Sequence, residues 1–343
     1  MLTSAAVIEA ATQPANNPTV ALYAVLNGVA GQTVFGEALN TLDHMGVDNR
    51  AMSLYWQLAG DIVDGAEAMR ARHDIYLPKF PNENTTDYEF RWKNSKFTNV
   101  YRDVIENLAS KPFEQEVTLI GDTIPDAFTS FIEDVDGSGS HITTFAVDTF
   151  FNGINSALDW IWVDYSTIEP GARVRTIAEE TALGLRPFWT HVLASNVLET
   201  RSRIINGKER LTYMRIVEHE PDAKYIRIMR ADAYIAAWEL YRQVTDPKAS
   251  TNKFEFVSSG PITINEIPMV PFVTGRRKGR SWQFQPMLKD AADLQVELFQ
   301  QESGLKNVEA LAGFPMLTGT GVKPPLKGVG RNAVVETLAT GPQ

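Results

Sequence analysis

Asp134, Asp136, Ser138 and Gly139 fit the opening of a calcium-binding EF-hand loop. That loop closes on a bidentate glutamate at its last position, where this chain has Phe145. Without that ligand the run DVDGSG reads better as a turn, with Ser138 or Ser140 capping the next helix. The histidines, His44, His73, His141, His191 and His219, form no pair at helical ligand spacing, and the chain has no cysteine. No zinc site is expected from such a set. Gly319 and Gly321 precede Val322 and Lys323 without the Lys-Ser/Thr ending of a phosphate-binding loop. No Gly-x-Ser-x-Gly elbow is present. Glu179 and Glu180 are adjacent, so their side chains diverge on any regular element and suggest no acid–base pair. These residues point to no catalytic group, no cofactor and no metal.

The sharpest charge feature is Arg276, Arg277, Lys278 and Arg280. It is either a solvated loop or a basic contact to an acidic neighbouring subunit or to DNA phosphate. Such charges can make a salt-sensitive contact, but they form no device for reading base sequence. Trp282, beside them, is a candidate interface residue, whereas Trp160 and Trp162 adjoin a long apolar run and read as core.

A long helix positions the basic loop from its C-terminal side. Residues 286–311 have a nearly helical apolar period through Leu288, Ala291, Leu294/Val296, Leu298/Phe299, Leu305 and Val308, continuing to Ala312. Pro286 suits the first turn, and Gly304 is the weak point, costing on the order of 1 kcal/mol against alanine. So long a helix reads as a strut.

Earlier in the chain, a helix is expected near residues 34–45. A firmer one covers 51–72, with a buried stripe of Leu54, Leu58, Ile62 and Met69 and Trp56 beside it. A third covers 88–108, with Trp92, Phe97, Val100/Tyr101, Val104/Ile105 and Leu108 inward, and is stopped by Lys111-Pro112. Residues 142–163 begin as a buried helix and end in a strand from Trp160. After Pro187 the segments have strand length: 211–218, 225–229 and 254–257, with Asn206-Gly207 as a hairpin turn. Residues 234–244 suit helix or strand. Helices first and strands second give an α+β fold.

The chain has 343 residues, 44% of them hydrophobic and 22% charged, which is a globular composition with room for more than one domain. A net charge of −10 opposes tight binding to nucleic acid but not its passage through a channel. No run of apolar residues is long enough for a transmembrane helix, and the N-terminus lacks the pattern of a signal peptide. No membrane partner is expected, and synthesis in the cytoplasm fits best.

Several stretches in order resemble a family of tailed-phage portal proteins. They are YWQLAGDIVDGAEAMRARHDIYLPKF, YEFRWKNSKFTNVYRDVIENLASKPF, FIEDVDGSGSHITTFAVDTFFNGINSALDWIWVDYS, RPFWTHVLASNVLETRSRIINGKERLTYMRIVEHE, and IPMVPFVTGR with the amphipathic helix after it. Together they span roughly residues 50–320. The resemblance implies a homo-oligomeric ring, of roughly twelve subunits, at one vertex of the capsid. It implies an N-terminal arm (1–50), a helical wing (51–185), a β-rich wing (186–285), a stem helix (286–311) and a clip (312–343). It also makes residues 234–244 a strand. The implied partners are the major capsid protein, the terminase motor, the head-to-tail adaptor and double-stranded DNA in the channel. Localisation would be the virion, after synthesis in the host cytoplasm. Arg276, Arg277, Lys278 and Arg280 become candidate contacts to DNA or a neighbouring subunit. Lys323, Lys327 and Arg331 become candidate contacts to the partners of the clip. Family members continue past the clip into a second stem helix, so either more chain is expected beyond Gln343 or the rest is a separate chain. The competing reading is a soluble α+β enzyme or ligand-binding protein with no recognisable motif.

Overall fold

A computed structural model describes residues 33, 37–81, 83–121, 124–166, 176, 179, 182–221, 223–232, 236–244 and 253–312. The fold is α+β and ends in a long helix. The chain forms two compact units, Met1–Gln57 with Ile105–Met287, and Leu58–Val104 with Leu288–Gln343.

The first unit is built on antiparallel sheets. Strands β3 (Val197–Ile205), β4 (Lys208–His219), β5 (Lys224–Ala231), β6 (Ala236–Val244) and β7 (Lys253–Pro261) form a meander in that order. Asn206 and Gly207 turn β3 into β4, both with positive φ (52° and 75°), the backbone that Asn-Gly favours in a two-residue hairpin. Strand β4 is buried on both faces. Met214 and Ile216 join one core and Tyr213 and Val217 another, as the two-residue period of a strand requires. In β6 the buried residues are Ala237, Glu239 and Tyr241. That alternation makes this stretch a strand; its expected first residue, Tyr234, lies outside the described residues.

A smaller sheet has the order β2–β1–β8, from β1 (Leu158–Tyr165), β2 (Pro187–Val192) and β8 (Met269–Val273). Trp160 of β1, Val192 of β2, Met269 of β8, Met229 of β5 and Met52 and Trp56 from the helical side share one core with β4. The expected buried helix is α5 (Ile142–Ser156). Gly153 is required there: a Cβ on it would stand 2.4 Å from the Phe272 ring of β8. Neither Ser138 nor Ser140 caps this helix; the His141 imidazole does, accepting from the Thr143 N–H at 3.2 Å.

The early helices depart from expectation. Within 34–45, the described residues hold a single 3-10 turn, Leu39–Thr41. The helix expected over 51–72 is α1 (Val47–Asp64) and α2 (Ala66–Ala71), broken where Gly65 takes φ 89°. Its inward residues include Met52, Trp56, Ala59, Ile62 and Met69, while Leu54 is 79% exposed. The helix expected over 88–108 is two helices, α3 (Thr85–Lys93) and α4 (Val100–Ser110). Asn94 and Ser95 close the first through the Phe90 and Trp92 carbonyls, and Asn99 caps the second by accepting from the Arg102 N–H. Polar side chains that compete for backbone groups end a helix as firmly as proline does. Along α4, Val100, Val104 and Leu108 are exposed and Tyr101 and Ile105 are buried.

The second unit holds the long helix, α6 (Lys289–Ala312), about 36 Å long at the standard rise. It starts three residues after Pro286, because Phe284 and Gln285 are engaged in a strand pair and the first helical bond runs from the Ala292 N–H to the Leu288 carbonyl. Its buried row is Ala292, Gln295, Phe299 and Ser303. Phe299 meets the Phe97 ring edge-on at 5.5 Å. Leu294, Leu305 and Val308 of the apolar series are 63%, 60% and 60% exposed, away from that buried row.

Candidate functional site

The basic residues sit on a hairpin of the first unit. Strands β9 (Arg276–Arg277) and β10 (Phe284–Gln285) pair antiparallel, and the loop between them turns at Gly279, φ 61°. The four cations do different work. Arg277 points inward: its guanidinium donates to both Glu209 oxygens (2.6 and 2.7 Å) and to the Ser281 carbonyl (2.8 Å), and it lies over the Trp282 ring at 4.9 Å. This fork-to-fork geometry is the strong form of an ion pair and ties the hairpin to β4. Glu209 also accepts from the Ser202 hydroxyl at 2.5 Å, and that hydroxyl accepts from the Trp282 indole N–H at 2.9 Å. Asp48, in the first turn of α1, accepts from the Trp282 backbone N–H at 2.7 Å and from the Gln283 amide at 2.8 Å. Arg276, Lys278 and Arg280 are exposed and have no ion pair among the described residues. The cluster therefore divides into one anchoring cation and an outward-facing set.

The anchor titrates. Hydrogen bonds from Arg277 and then Ser202 hold the Glu209 carboxyl down at about 2, against the usual 4.5. Because the folded value is depressed, this stabilisation is complete above pH ~4.5 and is lost as pH falls toward ~2. Glu209 is 39% exposed, so salt screens the pair and the effect is modest. Between pH 4.5 and 2 the Trp282 fluorescence should shift as the hairpin loosens. In Glu209→Gln that shift should be absent; its persistence would assign the transition to another group.

Beside the hairpin lies a cleft of about 900 Å³. Leu211, Ile267, Met269, Trp282 and Phe284 form an apolar lining, and the rim holds the Arg277–Glu209 pair and Arg210 bound to Glu266 at 2.6 Å. With those charges neutralised in pairs, the cleft suits an apolar side chain better than a charged ligand.

The Asp134 loop uses its carboxylates internally. One Asp134 oxygen accepts from the Gly137 and Gly139 N–H groups (2.8 and 2.9 Å), and the other binds Arg186 at 2.5 Å. Asp136 accepts from the Ser138 and Ser140 N–H groups and is held below its usual range, chiefly by Ser140. These bonds make the segment a self-closed turn.

One polar pair carries no signal in the sequence. His191 of β2 meets the fully buried Asp159 of β1 at 2.5 Å, beside the Phe145 ring. Burial pushes the Asp159 carboxyl up, and the His191 contact opposes it. No spacing rule could reveal partners thirty-two residues apart on neighbouring strands. The pair reads as a tie between those strands, since its carboxylate is closed to solvent.

Lys323, Lys327 and Arg331 lie outside the described residues. Among the described residues no group of His, Cys, Asp or Glu is placed to hold a metal ion, and no helix is long and apolar enough to cross a membrane. No protein-family model matches the sequence, and no curated protein matches it.

Proposed function

We propose that this chain is a non-enzymatic subunit of a tailed-phage portal, a ring at the capsid vertex that conducts double-stranded DNA. The ordered resemblance across the chain first suggests it. One observation carries it. Helix α6 already buries Ala292, Gln295, Phe299 and Ser303 within its own unit, yet Leu294, Leu305 and Val308 lie within ~60° of each other on the opposite side. A helix packed on one side that also exposes three large apolar residues on the other leaves those residues without a partner in a monomer. In a ring, a neighbouring copy covers them. The charge of −10 is compatible with DNA that slides past without being gripped.

In this reading α6 is the stem helix, and the residues after it form the clip that docks the terminase and then the adaptor. Electron microscopy of the protein with its capsid partners tests the proposal. Closed rings with rotational symmetry are the expected particles, and a stable monomer overturns it. Among the described residues, the cleft beside the hairpin is the feature that favours a ligand-binding protein. Saturable binding of a small molecule there by a strictly monomeric chain would support that second reading.

A further inference from the structure

We infer that the cleft beside the β9–β10 hairpin is the receptor for helix α6 of a second copy, with Leu294 entering the cleft and the surrounding carboxylates meeting the outward cations. This rests on the ring reading and names its contact.

The chemistry on the two sides is complementary. Leu294 projects from α6 with 63% of its surface exposed. Asp290 and Glu297 lie one turn to either side on the same face, and Asp293 adjoins it. All three acids are exposed and have no ion pair among the described residues. The result is an apolar knob inside an acidic collar. The cleft, about 900 Å³, offers an apolar lining that includes Trp282 and Phe284, with Asp232 and the paired Arg277–Glu209 and Arg210–Glu266 also on its wall. The same hairpin presents Arg276, Lys278 and Arg280, equally without ion pairs among the described residues. A buried apolar anchor inside a polar rim is the usual anatomy of a specific interface. An amphipathic helix laid in a hydrophobic groove is a recurring way to build one.

Two different patches meeting head-to-tail make a heterologous contact, and such contacts form a ring when the rotation between copies closes. Arg277 cannot serve the neighbour in this way, because Glu209 and Ser281 already hold it. Its part is to keep the hairpin in place.

The test is a charge swap in the full chain, read by sedimentation velocity at low and high salt with circular dichroism as the folding control. Arg276→Glu, Lys278→Glu and Arg280→Glu together should weaken assembly at least tenfold at low salt. Asp290→Lys, Asp293→Lys and Glu297→Lys together should do the same. Combining the two sets should restore assembly to within a fewfold of the parent, because each lost pair is remade with reversed sign. Leu294→Ala should weaken assembly about tenfold with no loss of folded structure, since its side chain is exposed. If the parent forms rings and either charge set assembles like the parent, the inference fails and the ring reading stands. Failure of the combined swap to restore assembly also overturns the pairing. A parent chain that stays monomeric with its capsid partners present overturns both.

Discussion

Arg91→Met should destabilise the unit that contains α3 by about 3–5 kcal/mol. Arg91 is 3% exposed. Its guanidinium donates to both Glu83 oxygens at 2.8 Å and to the Pro78 carbonyl at 2.8 Å, and it lies 4.0 Å over the Phe80 ring. Glu83 is itself nearly enclosed, with 7% of its side chain exposed, and the Arg91 hydrogen bonds hold its carboxyl below the usual range. Methionine fills much of the same space but leaves a buried carboxylate without its cation. That orphaned charge is the main source of the loss. The double variant Arg91→Met with Glu83→Leu should regain most of the stability in urea denaturation, because no charge is then left buried. A double variant as unstable as the single one would mean that lost packing on Phe80 dominates.

Gln295→Leu should cost about 2–4 kcal/mol in the same unit. Gln295 is 3% exposed on the inward side of α6. Its carbonyl oxygen accepts from the Val100 and Tyr101 N–H groups at 3.0 and 3.1 Å, and its amide donates to the Thr98 carbonyl at 2.7 Å. Those N–H groups open α4, where a helix has no internal acceptors for them. One side chain of another helix thus acts as an N-terminal cap and holds the preceding loop. Glu302 adds a second tie by accepting from the Thr98 N–H and hydroxyl. Leucine matches the volume but satisfies none of the three groups. Hydrogen exchange gives the local readout: the Val100 and Tyr101 amides should exchange faster in the variant, by more than the global loss explains. Unchanged protection there would mean that water replaces the glutamine without cost.

This glutamine also explains where the sequence was legible and where it was not. Periodicity locates α6 in outline and picks out Leu294, Leu305 and Val308 because they are apolar, but it does not say which side packs within the chain. The observed row contains Ser303 and Gln295, and the polar atoms of Gln295 hold the loop before α4. A hydropathy pattern cannot distinguish an apolar face that packs within the chain from one left for a partner. The breaks in the early helices were more readable than the expected long spans suggest: Gly65 has the positive φ of a helix terminator, and KNSKFTN is a run of capping residues. Strands β4 and β5 are legible because Asn206-Gly207 is a local turn signal and the segments after it have strand length. The anchoring role of Arg277 was not local, since its partner Glu209 lies sixty-eight residues away.

In the proposed ring a second copy of the chain covers the exposed Leu294, Leu305 and Val308 of α6. Native mass spectrometry of the protein with its capsid partners, across a concentration series, tests it most directly. One dominant closed species is expected at an integer multiple of the 38.2 kDa chain, lost when Leu305 and Val308 are both changed to serine. A chain that remains at the monomer mass at every concentration, with those partners present, contradicts it.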